Sequence, residues 1–464
     1  MANASAPTDP NRALRWLVYA LLIALSVGNA AGRILAVNSV DKLALDKERL
    51  AEGKRTSIQR PFLSANDRSR WLAVRALVEE GRWEIDNITA QPNWDTIDMV
   101  QHRGRDGELH LYSSKPPLME LVYAAPYWVV HKATGKTLGS HPYEIGRGLL
   151  VLFNLLPWAL LLGLIAALAE RLSTSDGAKL FAVAAAAFGT LLSPFLVVLN
   201  NHLHAAVCTA MAVYAMVRIK EQPAAKWFVL AGLATSMAAV NELPALAIVA
   251  ATGLLLLRQH PRLALTAFAL PVAIVVAAFF AANYSAHNSL RPPYAHRSKT
   301  DPADNWYEFE YTVNGVQRDS YWKNPQGIDR GEPSKARYAF HCLIGGHGLF
   351  SLTPIWLLSL YGGWCWLHRG NYSQRELALL GLGLMAVCTT GRSQLWRLDQ
   401  RFAVALLAHP AVAANAPAGV GTDRAFPFGP RFCAVAAGDV VPLRRVSHVE
   451  SVDASVDLQL AYVG

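Results

Sequence analysis

Long stretches of this chain carry no charge at all. Residues 148–168 and 248–257 hold no ionisable side chain, and several similar runs lie between them. Such runs approach the roughly 20 apolar residues that cross a bilayer. The whole chain agrees with this reading. Of its 464 residues 53% are hydrophobic and only 17% charged, against about a quarter charged in soluble domains. A soluble, disordered or fibrous protein is thereby excluded.

Apolar segments fall near 12–35, 119–130, 148–168, 178–199, 205–218, 226–240, 243–257, 263–283, 348–367 and 376–390. They predict an all-α, polytopic membrane protein with roughly ten spanning segments, some short enough to be half-helices. Residues 1–11 are polar and Pro-containing, which predicts a disordered cytoplasmic tail. The first run could be a cleaved signal peptide, given the small residues N-A-A-G at 29–32. An uncleaved first helix fits a polytopic chain better. Arg12 and Arg15 then hold the N-terminus inside and put residue 37 onward outside. A multi-pass protein of the plasma (inner) membrane is expected.

Two polar segments, 37–118 and 285–346, are too long for idle connections and should carry structure or function. The net charge is +9, with basic residues scattered between the apolar runs. That distribution suits membrane lipid or a phosphorylated substrate and not nucleic acid. The five cysteines are scattered without a C-x-x-C pair, so neither a disulfide framework nor a zinc site is encoded.

The first long loop holds S-A-N-D-R-S-R-W-L-A-V-R-A-L-V-E-E-G-R-W. Ser64 or Asn66 can cap a helix there and Gly81 can stop it. Trp71, Leu72, Val74, Leu77 and Val78 recur at helical spacing, which predicts an amphipathic helix in the membrane interface. Asp67 falls in its first turn, where the positive helix end favours a carboxylate. It is either a charge complement or a chemical group. Pro116 and Pro117 mark the loop's return to the membrane. Lys115 stands at that boundary, placed to meet a phosphate or simply to snorkel.

Taken together, these segments resemble the GT-C glycosyltransferases, and within them the protein mannosyltransferases, the lipid A aminoarabinose transferases and the RgtA/B/C/D-like proteins. That pattern runs D-E-x-R-Y-A-x-I-x-R-x-M-L-x-x-G-D-W and then K-P-P-L. Asp67, Arg70, Trp71 and Gly81-Arg82-Trp83 follow it, and Lys115-Pro116-Pro117-Leu118 matches unchanged. The resemblance implies a sugar taken from a polyprenyl-phosphate donor on the outer membrane face. Asp67 would be the catalytic carboxylate, Lys115 would hold the donor phosphate, and Arg70 would be a further substrate-binding residue. One departure stands out: the acid that often follows the family's Asp is Arg68 here, so a mechanism needing two adjacent acids is in doubt.

Further candidates lie between the apolar runs. Asn200, Asn201, His202 and His204 form one polar cluster. Its H-x-H lacks further ligands, so a divalent metal is not supported and hydrogen bonding to substrate is the better function. Asn241 and Glu242 form a second cluster, either a tight turn or a functional group at membrane depth. The second long loop is rich in aromatics and carboxylates, as in D-N-W-Y-E-F-E-Y at 304–311, which suits carbohydrate or an interfacial belt. His347, Gly348 and Pro354 open the ninth apolar run and resemble the G-L-F-x-x-x-P helix entry of these transferases. His347 is thus a substrate-binding candidate.

Residues 393–464 lose membrane periodicity. They read either as a cytoplasmic extension or as the product of a reading-frame shift. Codons exist for 393–410 and for 448–461 that, read one base later, give membrane-like strings at both ends. The GT-C-like domain is therefore bounded at 12–392, with 393–464 as an atypical tail. The expected function is membrane glycosyl transfer to a lipid, glycan or protein acceptor. The alternatives are a transporter or lipid flippase using Glu242 and the 200–204 cluster, or a catalytically inactive membrane protein.

Overall fold

The structure is a computed structural model that describes residues 9–36, 50–51, 53, 62–91, 94–346 and 348–390. His347 and the atypical tail over 393–464 lie outside the described residues.

The chain is mostly helical, and a helix occupies every apolar run. In chain order these are α1 (Arg12–Ala36), α2 (Ala65–Arg75), α3 (Pro117–Thr134), α4 (Pro142–Leu172) and α5 (Asp176–Phe188). They are followed by α6 (His202–Glu221), α7 (Ala225–Asn241), α8 (Leu246–Gln259) and α9 (Pro261–His287). After the second long loop come α10 (Lys335–Leu343), α11 (Leu357–Arg369) and α12 (Tyr372–Thr390). By length and composition α1, α4, α6 and α9 can each cross a membrane, and α8 lies in a shorter apolar helical stretch. The other apolar helices are shorter or more polar. Four full crossings are therefore supported among the described residues, out of the roughly ten expected.

One local break matters for the site. The apolar run 178–199 does not stay helical: α5 stops at Phe188 and a single 3-10 turn follows over Ser193–Val197. Pro194 has no N–H to continue a helix and pushes its predecessor toward extended backbone. Val198 leaves the turn extended (φ −130°, ψ 151°), which frees the backbone N–H of Leu199 for another partner.

Small residues set the close packing of α7 on α9. A Cβ on Gly232 would overlap the Phe268 carbonyl and meet Pro271 Cγ at 2.8 Å. At the start of α1, Arg15 is buried and paired with Glu170 and Asp176, each at 2.8 Å, and with Asp9 at 2.6 Å. The residue read above as an orienting charge thus also ties α1 to the end of α4 and the start of α5.

The all-α expectation holds for the apolar body but not for the two long loops, each of which carries a hairpin. β1 (Met99–Arg103) pairs antiparallel with β2 (Leu109–Ser113), and β3 (Glu310–Val313) with β4 (Val316–Asp319). The second hairpin turns on Asn314-Gly315, with φ of 54° and 75°. Positive φ at both central residues is what a two-residue I′ turn requires, and Asn-Gly supplies it at low cost.

A histidine contact joins the loops. His102 Nδ1 lies 3.0 Å from the Arg103 carbonyl, so that nitrogen carries the proton, and Nε2 accepts from His287 Nδ1 at 3.0 Å. His102 stacks on Tyr112 and tilts against Trp306, while Gln101 N–H donates to the Trp306 carbonyl. The first hairpin, the end of α9 and the second loop are fastened together here. Burial pushes the His102 imidazole down to about 4.

Candidate active site

Ser64 opens α2: its hydroxyl accepts the backbone N–H of Asp67 at 3.1 Å, an N-cap. The helix passes into a π-turn over Ala76–Glu80 and stops at Gly81, whose φ of 70° is left-handed. Both ends fall where the sequence puts them. The helix expected to be amphipathic has no exposed face over this stretch, because every residue from Asp67 to Arg75 is buried. The polar side chains on its outer face have protein partners. Phe62 stacks on Trp71, Arg75 pairs with Glu79 at 2.9 Å and lies over the Trp94 ring, and Arg68 binds two carbonyls.

Asp67 is 2% exposed. Its Oδ1 accepts two N–H groups at 2.8 Å, from Trp71 Nε1 one turn along α2 and from the backbone of Leu199. The broken helix at Pro194 therefore has a consequence: the freed amide of Leu199 orients this carboxylate. Both hydrogen bonds fall on Oδ1, and no donor reaches Oδ2 among the described residues. Burial pushes the Asp67 carboxyl up to about 7, against the opposing pull of the two N–H donors and the Arg70 and Arg68 guanidiniums.

Arg70 joins the clusters that the sequence shows separately. Its guanidinium donates to the side-chain oxygens of Asn66 and Asn201. Asn201 Nδ2 donates in turn to the Asn241 carbonyl and to Glu242 Oε1, each at 2.7 Å. His202 Nδ1 reaches the same Glu242 oxygen at 2.5 Å. Arg70, Asn201, His202 and Glu242 thus form one buried network that begins one helical turn from Asp67. Asn200 Oδ1 accepts the backbone N–H of Leu203, in the first turn of α6, at 3.0 Å.

Lys115 pairs with Asp98 at 3.1 Å. Asp98 is buried, and its backbone carbonyl accepts Ser69 Oγ at 2.5 Å, so α2 and the K-P-P turn share a boundary. The ammonium is held by protein and does not merely snorkel. Asp329 from the second loop also lies within the field of Lys115 and Asp98.

Two residues escape a reading of the sequence. Asp98 sits in W-D-T-I-D, where nothing marks it out from Asp95. Glu120 sits in L-M-E-L at the first turn of α3, 1% exposed, beside Ser113, Arg70 and Lys115. A lone carboxylate entering an apolar helix was its available signal. Arg68 is bound to the loop around α2. It is 1% exposed and donates to the Asp95 carbonyl at 2.7 Å and the Phe62 carbonyl at 3.2 Å, which pins the loop around α2. No group of three or more His, Cys, Asp or Glu side chains is arranged to hold a metal among the described residues.

No curated protein matches the chain. Among solved structures it is similar to the Archaeoglobus fulgidus oligosaccharyltransferase in its apo form, at 12% identity and a TM-score of 0.47. It is also similar to the archaeal oligosaccharyltransferase AglB from the same organism, in complex with an inhibitory peptide and a dolichol-phosphate, at 11% identity and a TM-score of 0.42. Each likeness covers 85% of this chain and 50% of the other, so the chain spans about half the length of either. The profile of glycosyltransferase family 87 matches residues 136–395, more than half of the chain. That match includes Leu199, Asn201, His202 and Glu242, while Asp67 and Lys115 lie upstream of it. The chain belongs to glycosyltransferase family 87, a family of the GT-C type.

Proposed function

We propose that this protein transfers a sugar from a polyprenyl-phosphate donor to an acceptor hydroxyl at the outer face of the plasma membrane, with its N-terminus in the cytoplasm. The observation that carries the reading is the environment of Asp67. Its Oδ1 is fixed by two N–H donors, its Oδ2 is left to accept a proton, and its carboxyl is poised near neutrality. A general base works best when its pKa lies near the operating pH.

In this reading the acceptor hydroxyl gives its proton to Asp67 Oδ2 as its oxygen bonds to the anomeric carbon. The carbon–oxygen bond to the donor phosphate breaks, and the electron pair leaves with the phosphate. Base assistance of this kind contributes about 10²–10⁴-fold. Lys115, preset by Asp98, and Arg70, preset by Asn66 and Asn201, supply positive charge for the phosphate. The order of Asp67, Arg70, Trp71 and K-P-P-L favours the branch of the protein mannosyltransferases and aminoarabinose transferases. The lipid-linked donor and the surrounding membrane lipid are the partners in this account.

Arg68 binds loop carbonyls, so the missing second acid speaks to the loop and not to the base. The network from Arg70 to Glu242 supports treating the 200–204 and 241–242 clusters as parts of the transferase site and not as a separate transport path. The test is sugar transfer in membranes given a mixed pool of polyprenyl-phosphate sugars. Transfer by the wild type that is lost in Asp67→Asn is expected. Equal transfer by both would overturn the assignment of the base.

A further inference from the structure

The peptide between Val198 and Leu199 is held from both sides. Its N–H, on Leu199, donates to Asp67 Oδ1 at 2.8 Å. A trans peptide points its carbonyl the opposite way, and there the Val198 oxygen accepts two side-chain amides. Asn154 Nδ2 reaches it at 2.9 Å and Asn200 Nδ2 at 2.8 Å. Each amide spends its second hydrogen earlier in the same segment. Asn154 donates to the Leu196 carbonyl at 2.8 Å, and Asn200 to the Phe195 carbonyl at 2.6 Å.

Asn154 comes from a different helix, and its setting there has a local cause. It lies in α4 within a π-turn over Val151–Leu155, closed by Leu156 N–H on the Val151 carbonyl. Pro157 follows, with no N–H for the Phe153 carbonyl and a ring that would press on it in a regular helix. One wider turn relieves that conflict. Asn154 is 0% exposed. Two carbonyls face its NH2 group, so the flipped amide would set oxygen against oxygen. Its own Oδ1 is buried without a hydrogen-bond partner, a cost that an apolar side chain in the same space would not carry. What the amide supplies is therefore its two hydrogens. Donors on the Val198 oxygen also polarise the peptide and strengthen the N–H that meets Asp67.

We propose that Asn154 is a positioning residue of the transfer: it fixes the Val198–Leu199 peptide so that the Leu199 amide holds Asp67 Oδ1 and leaves Oδ2 to the acceptor hydroxyl. It acts through Asp67, so the inference rests on the assignment of Asp67 as the base. Asn200 makes parallel contacts but is tied to α6 as well, through Leu203. Substitution of Asn154 therefore isolates the effect.

The Leu199 N–H and the Arg70 and Arg68 guanidiniums favour the ionised Asp67 carboxyl. Loosening that N–H should move the Asp67 titration upward, by about one pH unit for one charge-assisted hydrogen bond. The test is an infrared titration of the purified full-length protein in detergent. Glu120 on α3 and His202 and His204 on α6 also titrate on helices that adjoin α2, so the Asp67 C=O stretch is identified by its loss in Asp67→Asn. Asn154→Leu should raise its midpoint by about one unit, and Asn154→Gln, which keeps the NH2 donor, should undo part of that shift. Asn154→Ser, smaller and with one donor, should shift the same way and serves if the leucine variant does not fold. In the active enzyme the rise of kcat/KM with pH should move equally at unchanged donor KM. In an Asp67→Asn background, Asn154→Leu should cost no further rate. An unshifted midpoint in folded Asn154→Leu or Asn154→Ser, an equal shift in the Leu and Gln variants, or a further loss in the Asp67→Asn background would each overturn the proposal. A wild type inactive with every polyprenyl-phosphate sugar would defeat the donor reading instead, and the titration would still decide what Asn154 does to Asp67.

Discussion

Replacing Asp67 with asparagine should stabilise the protein, and the gain should depend on pH. The carboxyl titrates near 3.8 when exposed and near 7 in the fold. Between those values the native state binds a proton that the unfolded chain has released. Unfolding free energy therefore falls as pH rises through this window, by about 1.4 kcal/mol per pH unit. The interval from 3.8 to about 7 amounts to about 4 kcal/mol in all. Asparagine carries no charge, and its Oδ1 can accept the same two N–H groups from Trp71 and Leu199. The stability gap between variant and wild type should thus be constant below about pH 4, widen toward pH 7 and level off above it. Equilibrium unfolding in detergent, followed by tryptophan fluorescence across this range, reads the gap directly. The same gap at pH 5 and pH 8 would refute the reasoning, because it would mean Asp67 titrates alike in both states.

Three further outcomes follow from the geometry. Lys115→Met should raise the KM for donor by about tenfold or more, the worth of one charge-assisted hydrogen bond, and unchanged donor KM would remove Lys115 from the phosphate site. Gly232→Ala should cost about 1–3 kcal/mol of stability through overpacking against Phe268 and Pro271, seen as a lower Tm. An unaltered Tm would contradict the close approach of α7 and α9. The His102 imidazole is neutral in the fold down to about pH 4, below its ordinary range. Stability from the loop junction should therefore be full above about pH 6.5 and be lost as pH falls toward 4. Hydrogen exchange across residues 99–113 measures this, and protection that does not vary between pH 7 and 4.5 would refute it.

The features legible in the sequence are local ones. Ser64 and Gly81 bound α2 because a cap and a left-handed stop are decided within one turn of the chain. K-P-P marks its turn because proline geometry is intrinsic. The apolar runs give the helices, though their lengths do not give ten crossings. Contacts between distant residues could not be read in advance. Nothing in the spacing says that Leu199 N–H reaches Asp67, or that Asn201 bridges Arg70 to Glu242, because those bonds join residues 40 or more positions apart. The helix α2 looks amphipathic because its arginines read as solvated, yet Arg68, Arg70 and Arg75 are all buried against partners. The hairpins are four or five residues per strand, too short for alternation to register, although Asn314-Gly315 announces one of them. Glu120 sits inside what reads as an apolar entry, and its burial at 1% exposure shows only in the fold.

The central claim is that Asp67 is the base of a sugar transfer from a polyprenyl-phosphate donor. Its most direct test is the pH dependence of transfer in purified wild type and in Asp67→Asn. The account predicts that wild-type kcat/KM climbs with pH to a midpoint near 7. It also predicts that the Asp67→Asn rate is lower by about 10²-fold or more and lacks that rise. A variant that transfers sugar at the wild-type rate, or that retains the same pH limb, would contradict it.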